Sequence, residues 1–267
     1  MADRIFDELT AGGIREYLGP ACSALRIEVL PEVSSTNTLL KEKALAGAPA
    51  GTVLIADRQT TGRGRSGKSF HSPAGTGLYM SILTNAEAQD SARTLSVTTM
   101  SAVAAAEAAE AVSGREARIK WVNDIYMEER KVCGILAEAL TSPTTGRPDR
   151  IILGAGFNVY EPEDGFPAEI AEIAGAIRTR VEPGARSRLA AEFLNRFYGI
   201  LTGGRPDYEA DYRRRSLLTG RRILVLSETD PREAAVLGLD EQLRLLVRYN
   251  DGTEAALNAG EVSLKLS

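Results

Sequence analysis

ARIKWVND (117–124), VCGILAEAL (132–140) and RIILGAGFNVY (150–160) are three strand-like segments that follow one another in the middle of the chain. β-Branched and apolar residues dominate these segments, and the turn-like residues MEERK join the first two. Three neighbouring strands of this kind predict an antiparallel meander. We take this meander as the starting point for the fold.

The residues before the meander predict a helix, two strands and a long loop. Residues 34–46 open with capping residues and continue with apolar residues at helical spacing, so a helix should begin near Asn37. GTVLIADRQ (51–59) and LYMSILT (78–84) predict strands. Between them, from Thr60 to Gly77, the density of Gly, Ser and Pro predicts a loop without regular structure.

Two more helices complete the predicted main domain. One is predicted over Asp90–Ser113. The other is predicted over 186–201, where Leu189, Phe193 and Phe197 stand four residues apart and should face a core. The main domain is therefore predicted to be α+β, with a mostly antiparallel sheet and helices on one face.

From about Thr219 the pattern changes to short β-rich runs. RRILVLS, REAAVLGL, QLRLLVRY and TEAALNAG follow one another, and Asn250-Asp251-Gly252 between the last two is a hairpin signal. Such a series suits a small closed or half-closed barrel. We therefore predict two domains, a main domain at 1–218 and a small C-terminal β-barrel at 219–267.

Composition limits the class of protein. The chain has 267 residues, 43% hydrophobic and 25% charged, which suits an ordinary globular protein, and a net charge of −4 argues against a surface built chiefly for nucleic acid. The sequence contains no apolar run of transmembrane length and no apolar core of a secretory signal near its start. Cys22, Cys133 and the single His71 have no metal-ligand spacing. We expect a cytoplasmic protein that does not bind a membrane.

The predicted loop contains Gly62-Arg63-Gly64-Arg65-Ser66-Gly67, which spells G-x-G-x-x-G. The dinucleotide-binding fingerprint requires a helix to begin in this loop, whereas the proline and glycines of the following KSFHSPAGTG block a helix. Glycines and arginines could instead hold a phosphate through backbone N–H groups and planar guanidinium groups. A solvated basic loop accounts for the same residues. The stretch alone leaves the last two interpretations open.

Five motifs stand in a fixed order along the chain: SSTN (34–37), DRQTTGRGRSGKSF (57–70), KWVNDIY (120–126), KVCGILAE (131–138) and GAGFNV (154–159). Together they resemble the biotin protein ligase family, and the β-rich tail also fits. The resemblance implies the class II synthetase-like catalytic fold of biotin and lipoate ligases. It further implies that biotin is activated with ATP and Mg²⁺ to biotinyl-5′-AMP and transferred to a lysine of a biotin carboxyl carrier protein or domain.

The resemblance implies a set of biotin-binding residues: Ser35, Thr36, Asn37, Gln59, Gly62, Arg63, Gly64, Arg65, Lys131 and Gly134. The first four should surround the ureido head of biotin, because hydroxyls and amides can satisfy its two N–H donors and its carbonyl. An unmatched polar atom in a buried pocket would cost ~1–3 kcal/mol. Helix capping also accounts for Ser35 and Thr36, and the two roles are compatible.

Other residues are implied to act on the anionic groups. Lys131, Arg63 and Arg65 are the implied catalytic residues, and the implied nucleotide-binding residues are Arg65, Lys120, Asn123, Asp124, Lys131 and Asn158. Asp124 is also implied to bind Mg²⁺, although a turn residue after a strand accounts for it as well. The biotin carboxylate is itself the nucleophile, so positioning and electrostatics should supply the rate. His71 and Cys133 are therefore expected to be structural.

Three positions depart from the family pattern, in which tryptophan is usual at Phe70, proline at Val122 and a basic residue at Ser66. Phe70 keeps an aromatic surface, so we expect altered affinity for biotin rather than a different substrate. The lost charge at Ser66 should weaken retention of the adenylate. We also predict that the loop at 62–67 is a lid that orders over the adenylate.

Two alternative functions belong to the same broad fold. A lipoate or octanoate ligase would share the sheet but should not need all five motifs. A biotin-sensing repressor would need a DNA-binding domain, and the 33 residues before Ser34 are too few for a winged helix-turn-helix. We therefore expect no specific binding to nucleic acid. Dimers are common among the relatives implied by the resemblance, so a homodimer is compatible with it.

Overall fold

The computed structural model describes residues 7–85, 91–142, 146, 148–226, 231–258 and 261–264, and its main feature is a seven-stranded sheet in the order β1-β2-β3-β7-β6-β5-β4. The strands are β1 (Arg26–Val33), β2 (Thr52–Gln59), β3 (Gly77–Asn85), β4 (Arg118–Lys120), β5 (Asp124–Met127), β6 (Arg130–Thr141) and β7 (Pro148–Asn158). β1 and β2 run parallel, and all other neighbours are antiparallel. The predicted antiparallel meander is confirmed, but the segment 117–124 is not one strand: β4 ends at Lys120 and β5 begins at Asp124, so the residues MEERK join β5 to β6.

Five α-helices are described: α1 (Ala11–Arg15), α2 (Thr36–Leu45), α3 (Ser91–Ser113), α4 (Ala185–Leu201) and α5 (Tyr208–Arg214). The predicted helices at 34–46 and 186–201 are confirmed as α2 and α4. Asp90, the predicted start of the long helix, lies outside the described residues, and that helix ends at Ser113 as expected. Within the described part of the chain, no helix has the length and apolar character needed to cross a membrane.

The two faces of the main sheet differ, because neighbouring residues of a strand point to opposite faces. Ile82 and Leu153 belong to the large core that also contains the apolar sides of α3 and α4. Their neighbours Leu83 and Ile152 pack with Leu40 of α2 on the other face. The predicted mostly antiparallel sheet with helices is thus confirmed, but the helices are not confined to one face, because α2 packs on the face opposite α3 and α4.

A second sheet follows the last helix. Its five antiparallel strands are β8 (Arg222–Leu226), β9 (Arg232–Leu239), β10 (Leu245–Tyr249), β11 (Glu254–Leu257) and β12 (Glu261–Leu264), in the order β11-β10-β9-β8-β12. The predicted hairpin at Asn250–Gly252 joins β10 to β11, with Gly252 at φ 86°. Val247 of β10 and Leu243 in the turn between β9 and β10 belong to the same buried core as the main sheet. The domain boundary at 218/219 stays a prediction.

Arg186 of α4 holds both ends of the long loop. Its side chain is only 2% exposed, and it donates to the Asp57 carboxylate at the end of β2 and to the carbonyl of Gly77 at the start of β3. It also donates to the backbone carbonyl of Asp7, whose buried carboxylate accepts from Gly184 N at 2.8 Å. One buried guanidinium therefore contacts both ends of the loop, through the Asp57 carboxylate before it and the Gly77 carbonyl at its end.

We expect Arg186→Met to lower the free energy of unfolding by about 3–5 kcal/mol, because it leaves the buried Asp7 carboxylate and the partly exposed Asp57 carboxylate without their cationic partner. Arg188→Met is the matched control on the same helix, since Arg188 is 48% exposed and lies 3.9 Å from Glu192. The control should change the free energy by less than about 0.5 kcal/mol. Urea unfolding of both variants is the measurement. Equal losses of unfolding free energy in the two variants would contradict a special role of Arg186 at the ends of the loop.

Candidate active site

The floor of the candidate site is the face of the main sheet that also carries α2. On β7, Gly154 and Gly156 share this face with Ile152, since they are two and four residues further along the strand. A Cβ on Gly154 would overlap Asn37 Oδ1, and a Cβ on Gly156 would lie 2.8 Å from the Phe70 ring. These two glycines therefore allow α2 and the long loop to approach the sheet closely.

A buried hydrogen-bond network occupies the α2 side of the pocket. Ser81 Oγ on β3 lies 2.6 Å from Asn37 Oδ1 and 2.7 Å from Thr36 Oγ1. Gln59 Oε1 accepts from Thr36 N at 2.9 Å, and Gln59 Nε2 donates to Ser72 Oγ at 3.0 Å. The sequence SSTN thus reaches both the sheet and the loop. We call this network the polar end of the pocket.

Ser35 also has the predicted capping role. It is the N-cap of α2, and its Oγ accepts from Thr38 N at 3.4 Å. This bond uses a lone pair of the Ser35 oxygen and leaves the hydroxyl hydrogen available as a donor. Ser35 is buried and lines the pocket. Capping and a place in the pocket therefore occur together.

The glycine-arginine loop folds back on itself as an irregular hairpin. Phe70 N donates to Gly62 O at 2.9 Å, and Gly64 N donates to Lys68 O at 2.7 Å. A Cβ on Gly62 would overlap Phe70 O, so glycine is required for this approach. Within residues 60–76, the helical structure is one 3₁₀ turn at Arg65–Gly67. The helix that a dinucleotide fingerprint requires is not formed there.

Phe70 lies at the end of this hairpin and covers the floor. Its ring is 6.4 Å from the Tyr79 ring, centroid to centroid, in an edge-on arrangement. It would also be 3.3 Å from a Cβ on Gly134. The aromatic surface expected at this position is therefore present in the pocket lining.

A cluster of charged and amide side chains lies where β5 and β6 begin, and we call it the charged end. Arg65 Nη1 donates to Asn123 Oδ1 at 3.0 Å, and Asn123 Nδ2 donates to Ile135 O at 2.7 Å. Lys131 Nζ is 2.7 Å from Asp124 Oδ1, and both side chains are partly exposed. The tip of the loop is thus tied to the KWVND motif.

Arg63 does not join this cluster. Its two terminal nitrogens donate to both carboxylate oxygens of Glu138, at 2.9 and 3.1 Å. Glu138 Oε2 also accepts from Asn37 Nδ2 at 2.8 Å. Arg63 is therefore bound to the polar end, while Arg65 is bound to the charged end.

The structure brings most of the predicted site residues into one pocket. The predicted residues that line it are Ser35, Thr36, Asn37, Gln59, Arg63, Gly64, Arg65, Asn123, Lys131 and Gly134. Gly62, Lys120, Asp124 and Asn158 lie outside the lining. Asn158 Nδ2 donates to Lys131 O at 3.4 Å, and Lys120 Nζ is 5.9 Å from the centre of the Tyr126 ring.

Several residues of the site were not predicted individually: Tyr79, Ser81, Leu136, Glu138, Gly154 and Gly156. All of them are on the floor face. Their two-residue spacing on three strands is the signal that could have identified them, because Gly134, Leu136 and Glu138 must share a face once Gly134 is placed in the site.

Cys133 and His71 do not contribute to the pocket lining. Cys133 is completely buried, and burial raises the pKa of its thiol well above the usual value, although Lys131 opposes this shift. A thiol with such a pKa is protonated at neutral pH and is a poor nucleophile. His71 is exposed. The site therefore contains charged groups and amides rather than a nucleophile with its base.

The described residues contain no group of three or more His, Cys, Asp or Glu side chains that could hold a metal ion by themselves. Mg²⁺ normally keeps several waters and is bound by one or two carboxylates together with substrate phosphates. Asp124, partly exposed beside Lys131, suits this second arrangement. The residues fit a metal that arrives with a nucleotide.

Comparison with known proteins agrees with the motifs. The profile of the Biotin/lipoate A/B protein ligase family matches residues 29–158. The biotin–(acetyl-CoA-carboxylase) ligase of Mycobacterium tuberculosis is 30% identical over 97% of this chain and 97% of its own. The bifunctional ligase/repressor BirA of Bacillus subtilis is 29% identical over 85% of this chain and 70% of its own.

A solved structure supports the same relationship. The biotin protein ligase from Aquifex aeolicus, in complex with biotin and ATP, superimposes with a TM-score of 0.73 and 28% identity. The alignment covers 91% of this chain and 99% of that one. Fold, motifs and full-length similarity therefore agree, and the chain belongs to the biotin protein ligase family.

Proposed function

We propose that this chain activates biotin with ATP to biotinyl-5′-AMP and transfers the biotinyl group to a lysine of a biotin carboxyl carrier protein or domain. One observation carries the proposal: a single pocket is lined by a buried network of hydroxyls and amides and by cationic side chains, above a floor of glycines. Biotin combines a neutral ureido head with a carboxylate, so it needs both kinds of lining. ATP and Mg²⁺ are the cosubstrate and the accompanying metal.

The polar end suits the ureido head. Ser35 has a hydroxyl hydrogen to donate, and Thr36 and Asn37 are buried beside it. Buried donors and acceptors of this kind favour a ligand that matches them, because each unmatched polar atom costs ~1–3 kcal/mol. Phe70 and the glycine floor would then pack against the apolar part of biotin.

The charged end suits the first chemical step. A biotin carboxylate oxygen attacks the α-phosphorus of ATP, a P–O bond forms, and pyrophosphate leaves with the electrons of the broken bond. Two anions must approach each other, so Arg65 and Lys131 would neutralise their charge and Asn123 would orient Arg65. No protein base is required, because the carboxylate already carries its negative charge.

Mg²⁺ bound to the ATP phosphates, with Asp124 as its protein ligand, would add positive charge for the same step. In the second step, the neutral amine of the acceptor lysine attacks the carbonyl carbon of the adenylate, and AMP leaves. The amine loses a proton to solvent as the amide forms. Cys133 is completely buried and does not line the pocket, so the transfer would be direct, without an acyl-enzyme intermediate on this residue.

Other expectations from the sequence extend this proposal. We propose a cytoplasmic location, the two domains at 1–218 and 219–267, and activity without specific binding to nucleic acid. A homodimer is compatible with the same proposal. The second sheet would support the charged end through the turn between β9 and β10. There, Leu243 O accepts a hydrogen bond from Trp121 Nε1 at 3.0 Å, and Trp121 is two residues before Asn123 in the chain.

The protein should catalyse ATP–pyrophosphate exchange with biotin and not with lipoate. The dithiolane ring of lipoate has no N–H or carbonyl group, so it would leave the polar end unmatched. Parallel exchange assays with each acid are the measurement, and mass spectrometry of a carrier domain after incubation with ATP, Mg²⁺ and biotin checks the transfer. Exchange with lipoate alone would overturn the proposal.

Lys131→Met should lower kcat/KM for biotin-dependent pyrophosphate exchange by about 100- to 1000-fold, as expected when one preorganised charge at the reacting groups is lost. Lys43→Met is the control, because Lys43 pairs with Glu28 at 2.8 Å on the surface away from the pocket. The control should keep its full rate. A fully active Lys131→Met would remove Lys131 from the catalytic residues.

Gly154→Ala should raise the Kd for biotin at least about tenfold, because its Cβ would displace the buried Asn37 amide from the polar end. Gly199→Ala is the matched control, since a Cβ there has no neighbour within 4 Å and the residue lies in the last turn of α4. The control should bind biotin normally and gain up to about 1 kcal/mol of stability. Calorimetric titration with biotin distinguishes the two, and normal binding by Gly154→Ala would contradict the close-approach argument.

A further inference from the structure

Glu138 joins two parts of the site that are distant in sequence. On one side it accepts the bidentate hydrogen bonds of Arg63 in the loop, and on the other it accepts from Asn37 Nδ2 on α2. The bonds continue through Ser81, Thr36 and Gln59 to Ser72, whose Oγ donates to Phe70 O at 2.9 Å. The network thus leaves the loop at Arg63 and returns to it at Phe70.

The chemistry of Glu138 gives this network a direction. An ionised carboxylate can only accept hydrogen bonds, so the amide nitrogen of Asn37 must face Glu138 and its oxygen must face Ser81. The hydroxyl hydrogen of Ser81 must then point to Asn37 Oδ1, 2.6 Å away. Glu138 therefore fixes which atoms of the polar end are donors and which are acceptors.

The same carboxylate determines the position of Arg63. A bidentate arginine–carboxylate pair is geometrically specific, and in this pair both terminal nitrogens of Arg63 donate to the two oxygens of Glu138. Arg63 is 45% exposed and Glu138 30%, so the pair is screened and its effect on loop closure should be moderate. Arg65 and Lys131 remain as the cations of the charged end.

We infer that Glu138 is a positioning residue for biotin binding, which latches the glycine-arginine loop through Arg63 and fixes the orientation of Asn37. The inference rests on the proposed function for its ligand. It also assigns to Arg63 a role different from the one implied by the family resemblance: Arg63 holds the loop against the sheet, and the neutralisation of carboxylate and phosphates falls to Arg65 and Lys131.

The test compares the full-length protein with Glu138→Gln, which keeps the shape of the side chain but removes its charge. Glu254→Gln is the matched control, because Glu254 pairs with Arg248 at 2.7 Å across neighbouring strands of the second sheet. Hydrogen exchange of residues 62–70 without ligand, calorimetric titration with biotin, and pyrophosphate exchange at saturating biotin are the three measurements.

Glu138→Gln should speed hydrogen exchange of residues 62–70 about fivefold and raise the Kd for biotin about five- to tenfold. Changes of this size are expected when a partly exposed ion pair and one hydrogen bond are weakened. The rate at saturating biotin should change less than about threefold, because the charged end is intact. If Glu138 were merely structural, its substitution would instead lower the melting temperature and would not raise the Kd for biotin while leaving the saturated rate nearly unchanged. Glu254→Gln should change none of the three.

Arg63→Lys tests whether Glu138 acts through Arg63, since lysine keeps the charge but cannot form the bidentate pair. In the double variant with both Glu138→Gln and Arg63→Lys, hydrogen exchange of residues 62–70 should be no faster than in the faster of the two single variants. Additive effects, or a Glu138→Gln protein that matches Glu254→Gln, would overturn the inference. If Glu138→Gln does not fold, Glu138→Asp offers the same comparison, because its shorter side chain cannot reach both partners.

Failure of the inference and failure of the proposed function give different results. If the wild-type protein does not bind biotin, the proposed function fails, while loop exchange in Glu138→Gln still tests the latch. If the wild-type protein binds biotin and the loop is unaffected by Glu138→Gln, only the latch fails.

Discussion

The alternation of side chains along a strand is the constraint on which this structure depends. The central strands need apolar residues at every second position to bury α3 and α4, and the residues between them necessarily point to the other face. That face is the floor of the pocket, where Gly154 and Gly156 allow α2 and the loop to approach closely. A shift of one residue in the register of β7 would put these glycines in the core and Leu153 in the pocket.

The chemistry of the site follows from its charges. A carboxylate that attacks a phosphate needs no activation by a base, whereas it does need relief from the repulsion between anions. In the proposed function, Arg65 of the loop and Lys131 at the start of β6 would supply this relief, and Asn123 in the turn after β4 would orient Arg65. Cys133, one strand position before Gly134, faces the opposite side and is buried in the core. Burial on that face raises the pKa of the Cys133 thiol.

The sequence predicted the elements with strong local signals. The capping residues of SSTN, the helical spacing of 186–201 and the hairpin at Asn250–Gly252 are all local, and all three were confirmed. β1 was not predicted, because Pro31 and two glutamates interrupt an edge strand whose alternation is weak. Glu138 was not predicted either, since its partner Arg63 is 75 residues away in sequence and only the fold joins them.

The two arginines of the loop show why a motif alone could not assign its residues. Arg63 and Arg65 are separated by one glycine, and the family resemblance gave both the same anion-facing role. In the structure, the 3₁₀ turn that begins at Arg65 directs their side chains to different partners, Glu138 and Asn123. One arginine is thus neutralised by a carboxylate of the protein, while the other hydrogen-bonds to a neutral amide and keeps its charge for a ligand. The partner of each cation, rather than its place in the motif, decides which one can stabilise an anionic transition state.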